Sequence, residues 1–394
     1  MSCPLARVSC VALLPVMAFG CVRSAGEGSV PSGGRVTIIG QPEQFMIGGG
    51  LVLLPDRSTL LLGKVRDAVT REWNGIVTRI DQGGTTIWQV IVPQRHSFFR
   101  HGVPTKSGGA IAVGEAIASG TSLQDGLSAL VTRIGPQGQL EWAKPILPGT
   151  KSTAWAVTVA QDDTVAIAGV LEHAGAESTI FIARVTMDGT VLWQRDLGAG
   201  LTDYVSTIRE LRGGGFSLGG AFGLARVDIS GHVQWRREST DGGEPLDVAA
   251  VVELPDGDLL AGGYAYTRGG GGGRPVLIRL RSTGSVVWVK DLAESNLDSV
   301  IGIWLSPQDG ATVGARSSAD DRQLWLSRFD LDGRCMAREA FHVAPGAVAF
   351  EAELRGADLF VAGGMFSFNS PDEGKLWLFM ATLRIRGRSV AGGC

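Results

Sequence analysis

The chain has 394 residues, with 36 Lys and Arg against 39 Asp and Glu, for a formal charge of −3. That balance lacks the basic field of a nucleic-acid-binding surface. The 57 glycines, and the lack of any long run with a 3.6-residue apolar period, exclude a helical protein.

Residues 1–20 have the plan of an export signal. Arg7 supplies the positive start, and Val8 to Phe19 is an apolar run too short to cross a bilayer. Ala18-Phe19-Gly20 then precedes Cys21, which makes Cys21 the candidate lipidation site of a bacterial lipoprotein box. Ala18 stands where such boxes usually have Leu, so simple secretion is the alternative. Residues 21–34 form the lipid anchor and a tether of small residues. Losing Arg7 with the signal leaves 35 basic against 39 acidic residues, a charge of −4.

From Arg35 onward the chain repeats one ten-residue phrase. It reads RIDQGGTTIW (Arg79 to Trp88), RIGPQGQLEW (Arg133 to Trp142), RVTMDGTVLW (Arg184 to Trp193), RVDISGHVQW (Arg226 to Trp235) and RLRSTGSVVW (Arg279 to Trp288). A sixth copy from Arg328 has Ala337 in the Trp slot, and a seventh from Thr382 keeps only the Gly spacing. An aliphatic run, a Gly-containing turn and a second alternating run describe a β-hairpin in which Arg and Trp are cross-strand neighbours. Such a pair suits a cation–π contact. Repetition at every equivalent position argues that these Arg side chains are structural.

Each unit also has an upstream hairpin, such as Asp247 to Tyr264 with its turn at Pro255-Asp256-Gly257. Four strands per unit of about 50 residues predict an all-β chain: a single seven-bladed β-propeller of four-stranded antiparallel blades over 35–394. Gly34 to Ile38 matches the second half of the hairpin, so an N-terminal strand is expected to complete the last blade and cover its edge. Turns inside the hairpins are short and alike, whereas the other connections vary in length. In a four-stranded meander those two sets emerge at opposite ends, and the variable end is the expected binding face. Trp73 falls in one of its predicted loops.

Two groups of residues there can carry chemistry. Arg95, His96, Arg100 and His101 flank Phe98 and Phe99. Without a neighbouring carboxylate or Cys they suit an anion better than a metal, and a solvated loop is the plainer reading. Asp203, Asp247 and Asp298 enter the first strands of three successive units, where they either ring the channel mouth around a hard cation or cap their own loops. No other metal or cofactor is expected. Cys335 and Cys394 remain after the signal and Cys21 are set aside; in an exported protein they form a disulfide, or else two separate thiols.

The phrase RLRSTGSVVW resembles the Trp-docking repeat of the quinoprotein (PQQ-like) β-propeller superfamily, in which a Thr-Gly turn leads to a strand ending in Trp. The likeness spans the repeat region as a pattern. It implies either a quinone-dependent dehydrogenase or a non-catalytic envelope lipoprotein used as a scaffold. The adjacent Cys-Cys pair, eighth blade and longer chain usual in the enzymes are missing here. The expectation is therefore a lipid-anchored, monomeric scaffold of the bacterial envelope that binds a protein or glycan. The alternative is a propeller oxidoreductase or polymer-acting hydrolase with its site at the channel mouth.

Overall fold

The computed structural model describes residues 9–11, 20–22, 35–39, 46–67, 69–81, 85–117, 126–147, 150–198, 204–267, 272–292, 297–306, 310–317, 323–342, 347–355, 358–366 and 376–384, with side chains described between Gly50 and Arg338. Every element among the described residues is a strand. Except for a short ribbon, in which Ser9–Val11 runs antiparallel to Gly20–Val22 with Cys10 opposite Cys21, all lie in four-stranded antiparallel sheets.

The first sheet is Met46–Leu53, Thr59–Arg66, Trp73–Ile80 and Thr86–Arg95. The second is Phe98–Pro104, Ala110–Ala116, Ser128–Ile134 and Leu140–Pro145. The third is Ser152–Val159, Val165–Leu171, Thr179–Val185 and Val191–Asp196. The fourth is Val205–Glu210, Phe216–Gly220, Gly223–Val227 and Val233–Arg237. The fifth is Leu246–Glu253, Leu259–Tyr266, Gly273–Leu280 and Val286–Asp291. The sixth is Leu297–Ser306, Gly310–Ser317, Gln323–Phe329 and Cys335–His342. A composite sheet joins Ala347–Arg355, Asp358–Phe366 and Leu376–Arg384 to Arg35–Ile39, with Arg35 opposite Thr382.

The apolar core lies between sheets rather than within them, as a propeller requires. Ile111, Val113 and Val131 of the second sheet pack against Val157, Ile167 and Phe181 of the third. Ala168 and Ile182 of the third meet Phe216 and Leu218 of the fourth, and the same arrangement joins fourth to fifth and fifth to sixth. In the first five sheets the second strand is buried along most of its length, which is why AIAVGEA and VAIAGVL read as largely apolar runs rather than alternating ones. The outer strands are the exposed ones; in VLWQRD only Trp193 is half-buried.

The repeated phrase forms a staple between neighbouring sheets. Arg79, Arg133, Arg184, Arg226 and Arg279 stand directly opposite Trp88, Trp142, Trp193, Trp235 and Trp288, and Arg328 stands opposite Ala337. The expected cation–π contact within each pair is absent. The two side chains instead lie side by side and reach forward into the turn of the next phrase. Arg79 Nη1 and Trp88 Nε1 both donate to the Pro136 carbonyl, and Arg226 Nη1 and Trp235 Nε1 both donate to that of Ser282. Arg184 and Arg279 reach the carbonyls of Ile229 and Leu331.

Each indole also lies on the turn glycine of the following phrase. A Cβ on Gly231 would come within 2.6 Å of the Trp193 ring, and that residue has φ of 84°. Arg79, Arg184 and Arg279 add ion pairs back to Asp56, Asp162 and Asp256 in the first turn of their own sheets. Arg133 pairs with Glu141 instead. One end of the molecule is thus a regular belt of staples, and function has to be sought at the other.

Candidate functional site at the variable end

The inner strands carry a β-bulge at equivalent places. The ladder between Phe98–Pro104 and Ala110–Ala116 skips from Phe99 to His101, and that between Ser152–Val159 and Val165–Leu171 skips from Ala154 to Ala156. The residues skipped are Arg100 and Trp155. A bulge twists the strand and re-aims its extra side chain. Here the two extra side chains meet: Arg100 Cζ lies 3.9 Å from the centroid of Trp155. Gly114 permits this by taking Phe98 O where a Cβ would sit, at 1.8 Å.

Around this contact the variable ends of the first three sheets converge. Arg100 Nη2 donates to Glu115 Oε1 at 3.0 Å, and Thr153 Oγ1 donates to the other oxygen at 2.6 Å. Arg100 and Lys64 both lie over the Phe98 ring, at 4.9 and 4.8 Å, and Lys64 is also 4.8 Å from the Trp73 ring. Burial lowers the Lys64 pKa; the Glu115 carboxylate opposes that shift and the Arg100 charge adds to it. Trp73, expected in a loop, is instead the first residue of a strand and a wall of this site.

The arrangement continues into the next two sheets. The Trp155 and Tyr204 rings are 6.1 Å apart, and the Tyr204 hydroxyl donates to Asp247 Oδ2. Tyr266 stands edge-on to Tyr264 at 5.0 Å. Its phenol pKa is raised first by burial, then by the Asp247 and Tyr264 charges. An unbroken line of aromatic and charged groups therefore runs from Lys64 to Tyr266 across five sheets.

The expected cluster of Arg95, His96, Arg100 and His101 does not assemble. Arg95 turns outward to an exposed pair with Glu72, and His96 occupies the tight turn before Phe98 with φ of 51°. Arg100 enters the aromatic line. His101 goes to the inside, where the Val157 N–H reaches its Nδ1 at 3.4 Å. Burial, and secondarily the Arg209 charge, push His101 down to about 4, so the imidazole is neutral at pH 7. The ring keeps some surface exposure.

Of the three expected carboxylates, Asp203 lies outside the described residues. Asp298 has a described backbone only, at a register shift between Leu297 and Ser299. Asp247 holds a hydroxyl rather than its own loop. Among the described residues no three metal-ligating side chains come together. Cys335 is disulfide-bonded; Cys394 lies outside the described residues, as do the side chain of Cys21 and most of residues 1–34. Lys64, Glu115, Thr153, Trp155, Tyr204, Tyr264 and Tyr266 were not singled out from the sequence, and Trp73 was placed only in a loop. The only signal was an aromatic residue at the entry of successive inner strands, Phe98, Trp155 and Tyr204.

Comparison with known proteins agrees with this architecture. Residues 254–286 match a family described as a β-propeller domain of unknown function, DUF5122. No protein of curated function matches in sequence. Among solved structures, the chain is similar to a polysaccharide lyase, Uly1, at 8% identity over 86% of this chain and 90% of that one, with a TM-score of 0.52. It is also similar to a protein of unknown function from Dyadobacter fermentans, at 10% identity over 90% and 100%, with a TM-score of 0.49. A third, from Bacteroides caccae and also of unknown function, is 13% identical over 76% and 94%, with a TM-score of 0.45. With the inter-sheet core, the stapled repeats and the four-stranded antiparallel sheets, the match over residues 254–286 makes the chain a β-propeller-repeat protein.

Proposed function

We propose that the protein is a non-catalytic binding module of the bacterial envelope, a seven-bladed ring held to the membrane by a lipid on Cys21, which presents its variable end to a partner. The observation that carries the reading is the line from Lys64 to Tyr266. Its carboxylates, Glu115 and Asp247, accept hydrogen bonds from neighbouring side chains, and its rings are half-buried, with Tyr266 exposed at the end. Fixed, amphipathic rings of this kind supply contact area at little entropic cost, which suits recognition. The blade count is supported by the six sheets from Met46 to His342 and the composite sheet, and by the contacts of Met46–Leu53 with all three C-terminal strands of that sheet.

A photo-crosslinking amino acid placed at exposed Tyr266 or Val69, at the variable end, tests the binding face in whole envelopes. The same group at exposed Ile229, in a staple turn, is the control. Adducts from Tyr266 and Val69 alone support the reading; adducts mainly from Ile229 overturn it. Labelling with a clickable palmitate analogue tests the anchor, which should mark the wild type and not Cys21→Ser.

A further inference from the structure

The variable end holds two cations close together where the described residues supply one anion. Lys64 and Arg100 share the Phe98 ring, and Glu115 is the carboxylate recorded beside them. Among the described residues no acceptor lies within hydrogen-bond distance of Lys64 Nζ; its recorded neighbours are the Trp73 and Phe98 rings and the charges of Glu115 and Arg100. Arg100 Nε is buried without a hydrogen-bond partner. A partly buried ammonium with no acceptor is unfavourable in an empty site and is relieved by an anionic ligand group, and the Arg100 charge beside it adds to the attraction.

We infer that the line from Lys64 to Tyr266 is a track for an acidic polysaccharide, with a carboxylate of the sugar chain seated between Lys64 and Arg100. The inference rests on the reading of the variable end as a binding face, and names its ligand. A planar carboxylate matches the donor fork of Arg and the point charge of Lys. Beyond the cations the track offers ring edges and faces of Trp155, Tyr204 and Tyr264, which suit the C–H faces of sugar rings. At its far end Asp247 and the phenols of Tyr204 and Tyr266 accept and donate to hydroxyls. Contact across five sheets is longer than one sugar, so a chain fits and a monosaccharide does not fill it. Nucleic acid is disfavoured because the described track pairs one cationic seat, at Lys64 and Arg100, with the carboxylates of Glu115 and Asp247, where a phosphate at every step would need a continuous basic groove.

The test uses the full chain in calorimetric titration with two probes, an oligogalacturonate and its fully methyl-esterified, uncharged counterpart. The acidic probe should bind more tightly and weaken with added salt. Lys64→Met keeps the stem against Trp73 and removes the charge. It should weaken the acidic probe about tenfold or more, the scale of one charged hydrogen bond in a partly buried site, and leave the neutral probe unchanged. Tyr266→Ala, at an exposed position, should weaken long oligomers and not the dimer. Melting temperatures of both variants establish that they fold. Equal binding of the two probes would overturn the role of the cations. Binding of neither would overturn the polysaccharide assignment, while the crosslinking pattern would still decide the binding face.

Discussion

Arg133 and Trp142 reach the same atom: the guanidinium Nη1 at 2.9 Å and the indole Nε1 at 3.1 Å both donate to the carbonyl of Met187, in the next sheet. One oxygen thereby receives two donors from a cross-strand pair, and the pair locks a neighbouring turn. Trp142→Ala should destabilise the fold by about 2–4 kcal/mol, below the value for a fully buried indole because this ring is half-buried. Trp142→Phe should lose only the shared hydrogen bond, about 1 kcal/mol. Urea unfolding of the two variants separates packing from hydrogen bonding, and equal losses would contradict the fork.

The receiving glycine gives a second prediction. Gly231 and Gly257 have nearly the same backbone, φ of 84° and 85°, but only Gly231 lies under an indole; a Cβ on Gly257 meets nothing within 4 Å. Both Ala variants carry the backbone strain of about 1 kcal/mol or more. Gly231→Ala must also displace the Trp193 ring and should cost about 1–3 kcal/mol beyond Gly257→Ala. Matching denaturation midpoints would mean that the ring does not dock there.

His101 sets a pH dependence. Its pKa falls from 6.5 to about 4 on folding. Between those values the unfolded chain binds a proton that the folded imidazole refuses, so stability falls as pH drops through that window and is steady above it. The limb is worth at most about 3 kcal/mol, less to the extent that solvent reaches the ring. His101→Gln should flatten the melting curve between pH 6.5 and 4; an unchanged slope would place its cause elsewhere.

The disulfide at Cys335 is expected to end at Cys394. Cys335 stands opposite Phe329, the slot held by Val191 and Val286 in the third and fifth sheets, and it lies two residues before Ala337. The missing indole breaks the line of staples there, and a covalent bond would restore the joint. Non-reduced peptide mapping should recover the Cys335–Cys394 pair. Cys394→Ser should lower stability by at most about 4 kcal/mol, the chain-entropy value for a loop of roughly 60 residues. A peptide joining Cys335 to any other cysteine would refute the pairing.

The architecture was legible because turn glycine, Arg and Trp recur in one register, and register fixes which faces meet. The partner of each Arg was not legible, since spacing within a phrase says nothing about the carbonyl of the next one. The site was harder still. Arg100 was noticed for its charge, but its direction depends on a bulge, and no residue type marks a bulge. Lys64 and Glu115 lie on second strands whose apolar runs hide them. Trp73 looked like a loop residue because charged residues, Arg66, Asp67, Arg71 and Glu72, precede it. They form the tip of a longer hairpin.

The pairing of Arg35–Ile39 with Leu376–Arg384 has a kinetic consequence. During synthesis the first strand of the repeat region is made long before its mate, and the two can meet only when almost the whole chain is out. Contacts of such sequence separation form slowly, after the entropy of a very large loop has been overcome. Until then the Arg35–Ile39 strand has no mate, and the outer edge of Leu376–Arg384 is open to pairing with another copy. Refolding should therefore show a late, concentration-sensitive phase, and a circular permutant that makes these two strands contiguous should remove it.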